Sequence, residues 1–230
     1  MMERFESPKR KRLPVSDDIA YLLPMGIFLA LTALGGWGSL FVATYVIKTV
    51  VVAVALWVLW PHFTKIRWDY WWLGIIVGVI GILQWVPMQL WLQAHFEWFK
   101  PSGDAFDPTK AFASPAAMWA FIGVRVAGAV LVVPVMEELF WRDYLWRSII
   151  APADFKLARV GEWNWAPYLI VPVAFATVHG VWWPTAIVWG LLVGTLLAVT
   201  RSLGACIIAH SVTNLLLAAW VLYSGQWFFW

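Results

Sequence analysis

The sequence predicts an all-α fold, a polytopic transmembrane helix bundle of about seven spans. Three observations carry this expectation. Of 230 residues, 62% are hydrophobic, and the mean hydropathy is +0.74, values outside the range of soluble domains. Apolar segments close to the roughly 20 residues needed to cross a bilayer recur along the chain. The basic residues gather in alternate connections. A net charge of +3 and a pI near 9.1 raise the question of nucleic acid. The distribution of the charge answers it in favour of membrane topology, so the expected partners are the lipid bilayer and a membrane-associated protein or peptide, with no nucleic acid. The single cysteine, Cys206, excludes an internal disulfide framework.

Taken in order, residues 1–18 form a basic segment containing the run Lys9, Arg10, Lys11 and Arg12. The apolar segments follow at 19–37, 40–60, 70–90, 115–137, 167–183, 185–200 and 203–223. The first reads as a retained span rather than a cleaved signal, because it is long and a second follows almost at once. With the N-terminus cytoplasmic, Lys65, Arg67, Arg142, Arg147, Lys156, Arg159 and Arg201 fall on the same side, leaving Lys100 and Lys110 outside. The count places the C-terminal GQWFFW outside as well. Pro172 and Pro184 allow the short fifth or sixth segment to be re-entrant. No linker divides the chain, so one domain is expected: N-terminal spans and an external loop over 19–114, then a catalytic core over 115–230.

Several features read as packing. Gly190 and Gly194, and more loosely Gly123 and Ala127, have the small-xxx-small spacing that brings helix backbones together. Many of the 20 tryptophans sit near span ends and suit an interfacial belt. Ser114 and Pro115 make an N-cap and first-turn proline for the fourth span. Lys48 is expected to snorkel, and Arg125 to satisfy a carbonyl or carboxylate inside the bundle. The 91–110 stretch, with Glu97, Asp104 and Asp107, reads as an external loop. His62 and His95 lie in connections.

One stretch resists that reading: VPVMEELFWRDYLW, residues 133–146. An acid four positions before a base shares its helix face, so Glu138 and Arg142 are expected to pair. Glu137 is then left over, rotated about 100° around the helix, without a neutralising neighbour on its own turn. Such a carboxylate suits a general base. Two further polar groups lie within spans. VAFATVHG puts Phe175 and His179 on one face, and HSVTN puts His210 and Asn214 one turn apart. Ionisable groups at membrane depth are costly and mark functional sites. A catalytic or transport role for this set follows.

EELFWR, FATVH and HSVTN fit, in order, the EExxxR, FxxxH and HxxxN motifs, and the chain thereby resembles the CPBP family of intramembrane proteases. That family includes the type II CAAX prenyl endopeptidases of the Rce1 kind. The resemblance covers roughly 115–223. It implies that Glu137 and His179 activate water, that His210 and Asn214 form an oxyanion hole, and that Glu138, Arg142 and Phe175 support them. It implies no metal or cofactor. It implies hydrolysis of a peptide bond in a membrane-associated protein, lipidated or bearing a sorting signal. The compact chain and short loops look prokaryotic, which points to the inner membrane and to the exosortase-associated relatives. The connection from Glu137 to His179 is long for the family and leaves the depth of His179 open.

Three other readings use the same residues. A zinc peptidase would take Glu137 or Glu138 with His179 and His210, although no HExxH is present. A cysteine protease would pair Cys206 with His210. A proton-coupled transporter would use Glu137 and the histidines as a relay, and would be expected to show inverted repeats.

Overall fold

The computed structural model describes residues 13–35, 40–103 and 105–230. The basic run at 9–12, the end of the first predicted span at Trp37, and Asp104 lie outside these residues. The described chain contains no strand and is built from seven long helices. They are α1 (Asp17–Gly35), α2 (Phe41–Leu59), α3 (Trp71–His95), α4 (Pro115–Ile150), α5 (Trp165–Ala176), α6 (Trp183–Thr200) and α7 (Leu203–Ser224). All but α5 are long and apolar enough to cross a membrane. The chain is a polytopic helical membrane protein.

The fifth predicted span, 167–183, is not one helix. α5 has 12 residues, a rise of about 18 Å against a hydrocarbon core of about 30 Å. It stops at Ala176 because the Thr177 hydroxyl and the His179 amide take its last carbonyls, those of Ala174 and Ala176. Gly180 then adopts φ +53°, a conformation open to glycine at little cost. A 3-10 turn, Gly180–Trp182, then leads directly into α6. Trp183 reaches Phe99, with ring centroids 6.1 Å apart, and Val181 accepts from Gln89 Nε2 at 3.5 Å. Non-helical backbone at this depth is tolerated where it is buried in protein or lines a cavity.

The fourth predicted span, 115–137, is in turn too short. Ser114 caps α4 through the Ala117 amide at 3.5 Å and Pro115 opens it, as expected. The helix then runs 36 residues to Ile150, about 54 Å. The two glutamates therefore lie inside a continuous helix rather than at its end. Two π-helical segments widen it, Gly128–Val132 and Leu139–Leu145. Such widenings are frequent at functional sites.

Close approach of backbones holds the core. A Cβ on Gly78 would sit 2.6 Å from Val212 Cβ, and one on Gly81 2.6 Å from Thr213 Oγ1, so α3 lies directly against α7. Gly190 meets Pro172 and Gly194 meets Trp146, which packs α6 on α5 and α4 as the spacing suggested. Gly123 and Ala127 do not serve this purpose. A Cβ on Gly123 would meet nothing within 4 Å, and the contact falls instead on Gly128 against Thr49 of α2. The tryptophans divide as well: Trp57, Trp71, Trp72, Trp91 and Trp98 are exposed, whereas Trp146 and Trp189 are buried in the core.

The basic connections share one end of the bundle. Arg147 Nη1 donates to Thr64 at 2.9 Å, Lys156 Nζ to the His62 carbonyl at 2.8 Å, and the Gly204 amide to the Arg67 carbonyl at 3.0 Å. His62 is a locking residue there, buried and paired with Asp17 at 2.9 Å. Asp143, fully buried, ties α1 to α4 by accepting from Tyr21 at 2.6 Å and from Arg147.

Candidate active site

Glu137, His179, His210 and Asn214 border one cavity of about 290 Å³, together with Trp85, Ala129, Phe175, Trp189 and Thr213. Five helices, α3 to α7, and the turn after α5 bring them there. α4 supplies Glu137, the turn His179, and α7 both His210 and Asn214. α3 and α6 provide Trp85 and Trp189. A second cavity of about 500 Å³ shares Glu137, His179 and Trp85 and extends to Phe28 and Thr32 of α1. The depth of His179, uncertain from the long preceding connection, is thus that of Glu137.

Glu138 and Arg142 pair as the four-residue spacing required, Arg142 Nε lying 3.2 Å from Glu138 Oε2 with both side chains buried. The contact is ionic without hydrogen-bond alignment, since Oε2 and both Nη atoms of Arg142 have no hydrogen-bond partner. Arg142 is held from its faces instead. Its guanidinium carbon lies 4.8 Å from the Phe175 ring centre and 5.1 Å from that of Trp189. Glu137 is different: it is 6% exposed and its Oε2 has no hydrogen-bond partner. An unsatisfied buried carboxylate oxygen is costly in a structural role and suits binding water or a proton.

The two imidazoles are oriented by groups that only accept. His179 Nδ1 lies 2.7 Å from the Phe175 carbonyl, so Nδ1 carries a proton and Nε2 is the nitrogen left for the cavity. The Phe175 ring packs on the imidazole at 4.1 Å. His210 Nδ1 donates to Glu138 Oε1 at 2.8 Å. For His210 to donate from Nε2 as well, the ring must carry both protons, and Glu138 is the counter-charge such a cation needs.

Asn214 has a backbone partner that follows from the π segment. In that register the Val133 amide bonds Gly128 five residues back, and residue 134 would bond Ala129. Pro134 has no N–H. The freed Ala129 carbonyl accepts from Asn214 Nδ2 at 2.7 Å. One amide hydrogen of Asn214 is fixed, and the other remains for the cavity.

Sequence reasoning missed three contributors. Trp189 floors the site, stacking on Phe175 at 5.3 Å, meeting His210 at 4.7 Å and donating to Thr213 at 3.4 Å. Its only signal was a tryptophan within a span, one residue before Gly190. Trp85 was missed for the same reason. The C-terminal aromatics, read as an external tail, fold back so that Phe229 and Trp230 line both cavities. Cys206 does not border the cavity: it is buried, with Sγ 3.8 Å from the Val193 carbonyl. Among the described residues no three of His, Cys, Asp and Glu converge as metal ligands would.

A buried acid, two oriented imidazoles and an amide on one cavity, inside a bundle with six helices of spanning length, define an integral membrane protein with a polar centre suited to proton transfer and hydrolysis. Residues 114–216 match the family of Rce1-like type II CAAX prenyl endopeptidases. The matched stretch is similar to that family of membrane proteases and includes Glu137, His179, His210 and Asn214, whereas Trp85, Phe229 and Trp230 lie outside it. No curated protein and no solved structure gives a significant match.

Proposed function

We propose that the protein is a glutamic-type intramembrane endopeptidase acting on a membrane-associated protein, lipidated or bearing a sorting signal. The observation that carries this reading is the convergence of Glu137, His179, His210 and Asn214 on one cavity. In it, Glu137 takes a proton from water while His179 Nε2 orients that water, and the oxygen attacks the scissile carbonyl. His210 Nε2–H and the free amide hydrogen of Asn214 stabilise the resulting oxyanion. Glu137 returns the proton to the leaving amine as the C–N bond breaks. Glu138 fixes His210, and Phe175 fixes His179. The protein sits in a prokaryotic inner membrane with its N-terminus cytoplasmic, and substrate and water enter from the end bearing the basic connections. Cells producing Glu137→Gln in place of the parent protein should accumulate uncleaved membrane-associated precursors. An identical peptide inventory in the two strains would refute the reading.

A further inference from the structure

Residues 226–230 follow Gly225, which ends α7 at φ +70°, and turn back as one 3-10 turn, Trp227–Phe229. They do so at the end of the bundle opposite the basic connections. α7 starts beside the Arg67 carbonyl, which accepts from the Gly204 amide, and finishes beside residues 105–111. There a surface cleft of about 700 Å³ lies between 105–111 and 225–228, with Asp107 and Lys110 on its rim. Phe228 borders this cleft and also the inner cavity of about 500 Å³ that contains Glu137 and His179. Phe229 and Trp230 border both inner cavities. A single turn of chain is therefore the partition between the outer cleft and the polar centre.

That partition is held almost entirely by rings. Among the described residues, the hydrogen bonds of 225–230 stay within the segment or run to the end of α7. The Gly225 amide donates to the Val221 carbonyl at 2.9 Å, the Gln226 amide to Ser224 Oγ at 3.3 Å, and those of Trp227, Phe229 and Trp230 to carbonyls two or three residues back. The contacts to other parts are aromatic. Phe229 meets Trp220 of α7 at 4.8 Å and Trp182 at 6.5 Å. The Trp230 ring lies 4.7 Å from the Arg125 guanidinium of α4. Arg125 was expected to satisfy a carbonyl or carboxylate, and among the described residues it has no carboxylate partner. Lys48, expected to snorkel, is buried and donates to Thr32 Oγ1 on the inner cavity wall at 3.0 Å.

We infer that residues 226–230 are a gate over a second mouth of the cavity around Glu137, opening at the end opposite the basic connections to water and small polar solutes. The chemistry on the two sides of the partition supports this. Outside is a polar rim, inside are a carboxylate and two imidazoles, and between them stand Phe228, Phe229 and Trp230. An apolar constriction between two polar spaces excludes water while its rings are in place and conducts when they part. Gly225 supplies the hinge, since a glycine at positive φ changes conformation at little cost. A one-turn segment with no hydrogen bond to another helix opens more readily than the helices it covers. Closed, the gate keeps the cavity separate from that side of the membrane. Open, it gives the polar centre a water supply independent of the basic end.

The test places one reactive thiol inside. Leu217→Cys lines the cavity with Glu137, and Cys206→Ala removes the buried native thiol. The full chain is sealed into liposomes in each orientation, verified by Lys110→Cys at the gated end and Arg159→Cys at the other, both exposed. A small cationic methanethiosulfonate is added from outside and labelling is followed by intact mass. Phe229→Ala combined with Trp230→Ala should speed labelling of Leu217→Cys at least tenfold from the gated end and less than twofold from the basic end. Trp230→Phe keeps a ring over Arg125 and should stay within twofold of the native segment. Hydrogen exchange on the unsubstituted protein gives a reading that no variant can disturb: the amides of 227–230 should exchange at least tenfold faster than those of 213–221. Labelling with the native segment as fast as with the double variant overturns the gate, as does a double variant that is no faster. Equal acceleration from both ends means a loosened bundle and overturns it too. Amides of 227–230 that exchange as slowly as those of α7 make the segment a fixed wall, which also overturns it. None of these readings uses cleavage, so the gate and the peptidase reading fail separately.

Discussion

His210 donates from Nδ1 to Glu138 Oε1 at 2.8 Å, joining α7 to α4 across the floor of the cavity. Glu138 therefore has two partners, Arg142 on its own helix and His210 on another. The second motif glutamate is the residue that fixes the orientation of the imidazole.

Glu138→Gln should accordingly lower both stability and turnover. Removing one partner of a buried ion pair typically costs about 3–5 kcal/mol. The measurement that separates orientation from packing is the split between kcat and KM, since loss of the His210 orientation should lower kcat and leave KM nearly unchanged. An unchanged kcat with reduced stability alone would assign Glu138 a structural role only.

Asn214→Ala removes a donor to the oxyanion and also the partner of the Ala129 carbonyl. The expected result is a kcat reduced by about 100- to 1,000-fold with KM nearly unchanged. A stability loss of about 1–3 kcal/mol should accompany it from the orphaned carbonyl. Equal kcat in parent and variant would remove Asn214 from the chemistry.

Glu138 and Arg142 were legible because helix geometry links positions four apart whatever surrounds them. So were the cap at Ser114 and the helical class. Asn214 was legible as a polar residue but not in its partner, because the π register that frees Ala129 depends on packing around Gly128 and on Pro134 together. Trp189 and Trp85 were not singled out among the tryptophans, since composition cannot separate a tryptophan facing lipid from one facing a site. The fold-back of Phe229 and Trp230 is a long-range contact with no periodic signal. The break after Ala176 was half visible: Pro172 hinted at it, but its position is set by Thr177 and Gly180.

Gly78→Ala should force α3 from α7, since the new Cβ would meet Val212 Cβ at 2.6 Å and the Ala209 carbonyl at 2.7 Å. Overpacking of this kind costs about 1–3 kcal/mol. The thermal midpoint should fall, and activity should fall with it because Thr213 and Asn214 lie on the displaced helix. A variant as stable as the parent would show that the α3–α7 approach is looser than described.

With the N-terminus cytoplasmic, a cysteine at Lys110 should react with an impermeant thiol reagent only from outside, and one at Arg159 only from inside. Both side chains are exposed, 85% and 73%, so accessibility is not limiting. The reverse pattern would invert the topology and the side from which substrate enters.

The measurement that bears most directly on the mechanism is turnover by purified Glu137→Gln beside the parent protein, with metal content and chelator sensitivity determined on the same preparations. Glutamine keeps the shape of the side chain and cannot accept the proton from water. The variant is expected to lose activity by at least about 1,000-fold, within the range general-base catalysis contributes, while its thermal midpoint stays that of the parent and EDTA leaves the parent enzyme active. Near-normal turnover by Glu137→Gln, or activity that disappears with chelation and returns with stoichiometric zinc, would contradict water activation by Glu137.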